Sequence, residues 1–258
     1  MTLLEGKGLS MEFGGLSALD QVDFNIKAGE ILSLIGPNGA GKTTLFNLLT
    51  GVYPPTRGEI LFKENKIKNK KPYEITKMGI ARTFQNIRLF SEMSVLDNVI
   101  IGQHCRTRTG VFGAILWSDA VKKEEKKVRD RAMELLNFVG LDKVCDEKAK
   151  NLPYGAQRRL EMARALATDP ELILLDEPAA GMNPQETNQL INLIDKLNDM
   201  GKTVLLIEHD MKLVMGISER IMVLDYGKKI ADGTPEEVRS NELVIKAYLG
   251  DNATKGDR

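Results

Sequence analysis

Eight consecutive residues constrain this chain more than anything else in it. Gly36-Pro37-Asn38-Gly39-Ala40-Gly41-Lys42-Thr43 satisfies every fixed position of the pattern G-x-x-x-x-G-K-[ST]. Each residue type has a physical reason to be there. Glycines let the backbone curl until successive N–H groups point at one anion, and a helix starting at Lys42 aims its positive end at the same place. Lys42 can reach the outer phosphates of a nucleoside triphosphate, and the Thr43 hydroxyl, with Thr44 beside it, can reach the accompanying Mg²⁺. The flanks agree with a strand-to-helix turn. Ile31–Ile35 is apolar throughout, Leu45, Leu48 and Leu49 recur at helical spacing, and Gly51 is placed to end that helix.

A phosphate loop of this kind needs a parallel sheet behind it, and the rest of the chain supplies one. Glu171-Leu172-Ile173-Leu174-Leu175-Asp176 and Val204–Ile207 read as buried strands. Between them Asn183 caps a helix with Pro184 at its first position and an apolar face of Leu190, Leu193, Ile194 and Leu197; Gly201 closes it. Thr234-Pro235-Glu236-Glu237 reads as a further capping box. The expectation is an α/β P-loop NTPase with a mainly parallel core sheet. Two regions break the alternation. The segments before Ile31 and around Gly58–Ile67 are short and turn-bounded, as in a small antiparallel subdomain. Residues 86–168 read as mostly helical, with a mixed-charge helix over Val121–Leu136 and an unpatterned insertion or surface loop at Gly102–Ser118. We expect one domain over 1–258, the helical part being inserted in the core.

Composition excludes several classes. Thirty-six Lys and Arg balance thirty-six Asp and Glu across 258 residues, so this is no strongly basic nucleic-acid binder. Two cysteines, Cys105 and Cys145, form no metal-type spacing and no disulfide framework. The N-terminus lacks the layout of a signal peptide, and no apolar run approaches the roughly 18 residues a bilayer requires. A cytoplasmic protein is expected, reaching a membrane only through partners.

Two more motifs carry chemistry. Asp176 and Glu177 end the Leu172–Leu175 strand. Asp176 can hold Mg²⁺ through its water shell, and Glu177 can face the γ-phosphate and polarise an attacking water. His209 follows the Val204–Ile207 strand, at the carboxyl edge where such sheets bind ligands, and is assigned to the γ-phosphate. No N-K-x-D motif is present to read guanine.

In order, the chain presents the phosphate loop, Phe84-Gln85, a helical region, Leu152-Pro153-Tyr154-Gly155-Ala156-Gln157-Arg158-Arg159, Asp176-Glu177, Ala180-Gly181-Met182-Asn183 and His209. That order resembles the ATP-binding subunit of an ABC transporter over essentially the whole chain. The resemblance implies that Gln85 senses the γ-phosphate and Mg²⁺ and links the site to a membrane partner. It implies that Phe13 stacks on adenine, and that Asn183 takes the place of an aspartate that communicates across a dimer. It also implies that Tyr154, Gly155 and Ala156 meet the nucleotide of a second copy. The signature helix departs from L-S-G-G-Q. Pro153, suited to a first helical turn, replaces the serine and its hydroxyl donor, Tyr154 the first glycine and Ala156 the glutamine.

The Tyr-Gly variant, Ala-Ala-Gly-x-Asn-Pro at 179–184 and Arg-Thr-Phe-Gln-Asn at 82–86 are similar to the ATPases of branched-chain amino acid importers. The expectation is an ATP-hydrolysing import subunit. It would pair with itself or a paralogue around two ATP molecules, bind permease subunits at the inner face of the membrane, and serve a solute-binding protein indirectly. The rivals are a lipid or lipopolysaccharide exporter and a soluble ABC protein acting on ribosomes or DNA. The latter usually carries two cassettes or long coiled coils, which this chain lacks.

Overall fold

The computed structural model describes residues 1–106 and 119–249. Its centre is a six-stranded sheet of β3 (Ile31–Ile35), β6 (Ile80–Arg82), β7 (Leu172–Asp176), β8 (Thr203–Ile207), β9 (Arg220–Asp225) and β10 (Lys228–Gly233), ordered β10-β9-β3-β8-β7-β6. All neighbours are parallel except the β9–β10 hairpin. β3, β7 and β8 are buried at every position because both faces of the sheet are covered. Alternate residues serve the two faces. Ile173, Leu175, Val204 and Leu206 pack under helices, while Leu172, Leu174, Leu205 and Ile207 pack toward a second sheet.

That second sheet is the expected antiparallel one. β1 (Thr2–Phe13), β2 (Leu16–Lys27), β4 (Arg57–Phe62) and β5 (Asn65–Lys66) run in the order β2-β1-β4-β5. Between the two sheets lies α1 (Lys42–Leu49), which buries Leu45, Phe46, Leu48 and Leu49. A short α2 (Pro72–Met78) leads to β6.

Over the other face lie α3 (Val95–Gly102), α4 (Asp119–Phe138) and α5 (Tyr154–Leu166), sharing a core with α6 (Pro184–Asp199). Asn183 and Glu186 form a reciprocal capping box on α6, and Leu190, Leu193, Ile194 and Leu197 are its buried face. α7 (Met211–Ile217), α8 (Pro235–Arg239), capped by Thr234, and α9 (Glu242–Leu249) complete the fold. α4 turns Ala132, Leu135 and Leu136 inward, and its lysines from Lys122 to Lys127 are exposed.

The region from residue 86 differs from the sequence reading in one respect: helix begins only at Val95. From Thr83 to Ser94 the chain is irregular, with bends at 85–86 and a turn at 91–92, and side chains from elsewhere satisfy part of its backbone. Arg158 donates to the carbonyls of Phe84 and Gln85, Glu161 accepts from Arg88 N, and Asn98 bonds both N and O of Phe90. Of the unpatterned stretch, Gln103–Cys105 is a single 3₁₀ turn, and residues 107–118 lie outside the described ones.

Candidate active site

Strand register assembles the site. Ile207 pairs with Asp176 on one side and with Leu34 on the other. The chain therefore leaves β3, β7 and β8 at one level, bringing Gly36, Glu177 and His209 to the same edge. Only glycine fits the loop between β3 and α1 at two points. Gly36 has φ +150° and a Cβ there would collide with the Leu224 carbonyl oxygen. Gly41 has φ +102° and its Cβ would lie 2.6 Å from the Ala18 carbonyl oxygen. α1 starts at Lys42 with no side chain capping it, so its first amides are uncovered. Lys42 is 6% exposed, and its Nζ donates to the carbonyls of Gly36 (2.6 Å) and Pro37 (2.9 Å). Burial lowers its pKa, and the carboxylates of Glu177 and Asp176 oppose that shift.

Glu177 stands at the centre. Its φ of +48° is unusual for a non-glycine residue. Gln85 Nε2 donates to one carboxylate oxygen at 2.9 Å, and His209 Nε2 lies 2.9 Å from the other. A carboxylate only accepts, so His209 carries its proton on Nε2. Gln85, Glu177 and His209, placed on three segments by sequence reasoning, are thus in direct contact.

Asp176 is 4% exposed, with Oδ2 2.7 Å from Arg82 Nη2. Arg82 also donates to Asn47 and lies between the rings of Phe46 and Phe84, so it holds Asp176 against α1. Asp176, Thr43 and Gln85, the residues expected to hold a metal, each carry a hard oxygen donor. That chemistry suits a small divalent cation such as Mg²⁺. Phe13 ends β1 half-exposed, its ring edge-on to Tyr53 with centroids 5.6 Å apart.

Tyr154, Gly155 and Ala156 lie apart from this cluster, at the start of α5. Pro153 proves to be the N-cap rather than a residue of the first turn, because its ψ of 153° is extended; it makes no side-chain cap, and the Glu186 carboxylate lies against Gly155. The Tyr154 hydroxyl is turned toward Arg158, at 3.1 Å from Nε and 2.8 Å from Nη2. Arg158, 3% exposed, thereby ties α5 to the segment bearing Gln85. Neither Arg82 nor Arg158 was singled out by sequence reasoning, although both stand within the quoted motifs. An arginine closing an apolar strand, as in Ile80-Ala81-Arg82, was the available signal.

Comparison with known proteins agrees with this geometry. Residues 19–180 match the family described as "ABC transporter", and residues 228–254 match "Branched-chain amino acid ATP-binding cassette transporter". The high-affinity branched-chain amino acid transport ATP-binding protein LivG of Salmonella typhimurium is 51% identical over 96% of this chain and 98% of its own length. BraF of Pseudomonas aeruginosa, of the same description, is 47% identical over the same shares. Among solved structures, the ADP conformation of MJ1267, an ATP-binding cassette of an ABC transporter, superposes with a TM-score of 0.85 at 34% identity, covering 97% of this chain and all of that one. The match across most of the chain, the full-length relatives and the shared fold lead to one conclusion: this chain belongs to the ABC transporter family, as one of its ATP-binding cassettes.

Proposed function

We propose that the chain is the ATPase subunit of an importer for branched-chain amino acids. The observation that carries hydrolysis is the bracketing of Glu177 by Gln85 and His209 at the mouth of the phosphate loop. Support for the solute comes from the names of the full-length relatives and from the C-terminal match.

In this reading Gly36–Thr44 and the amides of α1 hold the triphosphate, and Lys42 exchanges its two carbonyl partners for phosphate oxygens. Phe13 stacks on adenine. Thr43, Gln85 and Asp176 hold Mg²⁺, which when bound neutralises phosphate charge. Glu177 accepts the proton of the attacking water; Gln85 and His209 fix both its oxygens, so the carboxylate is oriented beforehand. His209 reaches the γ-phosphate by turning its Nε2–H away from Glu177, since one N–H serves one acceptor at a time. The chain is one domain, 1–258, with residues 86–168 as a helical part set into it.

A second copy or a close paralogue completes each site. α5 presents Tyr154, Gly155 and Ala156 in its first turn, with Arg159 and the Glu186 carboxylate lining the same cavity, while Arg158 is engaged with carbonyls and Tyr154. That arrangement suits the γ-phosphate of an ATP held elsewhere. No helix among the described residues is long and apolar enough to cross a membrane. In this reading the chain meets permease subunits at the inner face of the membrane. A cavity of about 380 Å³ lined by Tyr73, Arg82, Phe90, Glu161 and Arg164 is their seat. Arg88, on the adjoining segment, lies over the Phe84 ring, 4.4 Å from its centroid.

The test is uptake. The chain with its permease and binding protein, in proteoliposomes, accumulates labelled leucine, isoleucine or valine only with internal ATP. ATP hydrolysis stimulated by none of these, in a complex that does move another solute, overturns the assignment.

A further inference from the structure

The run Glu208-His209-Asp210 follows β8, and each residue takes a different direction. His209 faces Glu177. The Asp210 carboxylate caps α7 through Lys212 N and Leu213 N. Glu208 points inward and is 4% exposed. One of its oxygens accepts from Ala179 N at 2.7 Å and the other from His209 N at 3.1 Å. No cation pairs with it among the described residues. Burial raises its pKa and nearby Glu177 adds to that, while the amides of Ala179, His209 and Asp210 oppose the shift.

A buried carboxylate with no counter-ion is expensive, and a neutral side chain would fill the same space at less cost. What the carboxylate alone supplies is two acceptors on one rigid plane. They join the loop leaving β7, which runs Ala179 to Asn183 and into α6, to the backbone that carries the imidazole. That loop is otherwise a chain of local turns, Ala180 N to Glu177 O and Met182 N to Ala179 O.

We propose that Glu208 is a positioning residue of the hydrolytic site, holding His209 over Glu177 and binding its placement to that of the loop ending at Asn183. The proposal rests on the hydrolytic reading above.

The chain has only two histidines, so ring ¹H–¹⁵N spectra report His209 directly, with His104 as internal reference. In Glu208→Gln an amide NH₂ must oppose one of the two N–H donors. We expect the His209 ring signals to shift or broaden, with those of His104 unmoved. The kcat for ATP should fall about tenfold or more while KM stays within about twofold. Glu208→Asp, shorter but still charged, should recover part of that loss. Unmoved His209 signals with kcat within about twofold of the parent overturn the proposal. So do Gln and Asp variants that lose turnover equally and in step with their melting temperatures, since that marks mere packing. If Glu208→Gln does not fold, Glu208→Asp carries the same two measurements. Lys42→Ala in the same assay separates the readings: an active Lys42→Ala sinks the hydrolytic assignment, whereas an unmoved Glu208→Gln sinks only this one.

Discussion

α1 and α5, the two helices whose first turns carry expected nucleotide contacts, begin at N-cap residues that make no side-chain cap, and they do so in opposite ways. α3, α6, α7 and α8 are each closed by Ser94, Asn183, Asp210 or Thr234. α1 and α5 begin at Gly41 and Pro153, with no side-chain cap. α1 sits behind a glycine loop with its own cation, Lys42, and two carboxylates at its rim. α5 begins with the Glu186 carboxylate against Gly155 and with Arg159 lining the same cavity, while Arg158 is spent on the Gln85 segment. The difference teaches that an anion site can be built whole or in part. In the proposed reading α1 holds the triphosphate, whereas α5 adds contacts to a phosphate already held.

The sharpest way to break that comparison is to remove the cation from the complete half. Lys42→Ala leaves the triphosphate charge uncompensated in a partly dry site. Hydrolysis should be abolished and ATP binding weakened strongly, read by phosphate release and nucleotide titration. Turnover within about twofold of the parent would show that α1 does not hold the phosphates.

Glu177→Gln tests whether chemistry and binding separate within that half. General-base contributions run at about 10²–10⁴-fold, so hydrolysis should drop by at least about a hundredfold. Binding should survive, because Lys42 and the loop amides are untouched. With one negative charge fewer near the γ-phosphate, an ATP-bound dimer should accumulate on a sizing column. A parental rate would move the catalytic role to His209.

The incomplete half responds more gently. Pro153→Ser adds a hydroxyl at the N-cap of α5, where hydrogen bonds to a charged group are worth about 1.5–3 kcal/mol and neutral ones about 0.5–1.5. ATP-driven dimerisation of the Glu177→Gln background should tighten by about tenfold, measured by analytical ultracentrifugation. No tightening would mean that the missing donor is already replaced.

The smallest effect concerns Glu161 in the same helix. Burial is the main cause raising its pKa, against the Arg88 amide and the charges of Arg158 and Arg164. The native state therefore binds this proton more tightly than the unfolded chain. That contribution to stability is present below the ordinary glutamate range and lost as pH rises through the raised value. Glu161→Gln should flatten that decline, seen as a smaller drop in urea midpoint between acid and neutral pH than in the parent. An identical slope would mean that Glu161 is as free to ionise in the fold as in water.

Legibility followed sequence distance. The phosphate loop was readable because its conformation is set within eight residues, by glycines at φ values that other residues avoid and by the helix behind them. β3, β7 and β8 were readable because burial on both faces demands unbroken apolar runs. Residues 86–94 were misread as helix because the segment is anchored from far away: Arg158 holds the carbonyls of Phe84 and Gln85 from over seventy positions on. Periodicity carries no record of such a partner.

The sequence by itself determined the fold class, the nucleotide chemistry and the residues available for it: Lys42, Gln85, Asp176, Glu177 and His209 are stated in local motifs. Only the tertiary structure decided their mutual geometry. Parallel register sets Gly36, Glu177 and His209 at one height, because Ile207 pairs with both Leu34 and Asp176. Arg82 grips Asp176 across 94 positions, and Glu208 reaches Ala179 across 29. These contacts exist because burying a charged group in a closed core requires a partner wherever the fold brings one within reach, and that choice is made in space rather than along the chain.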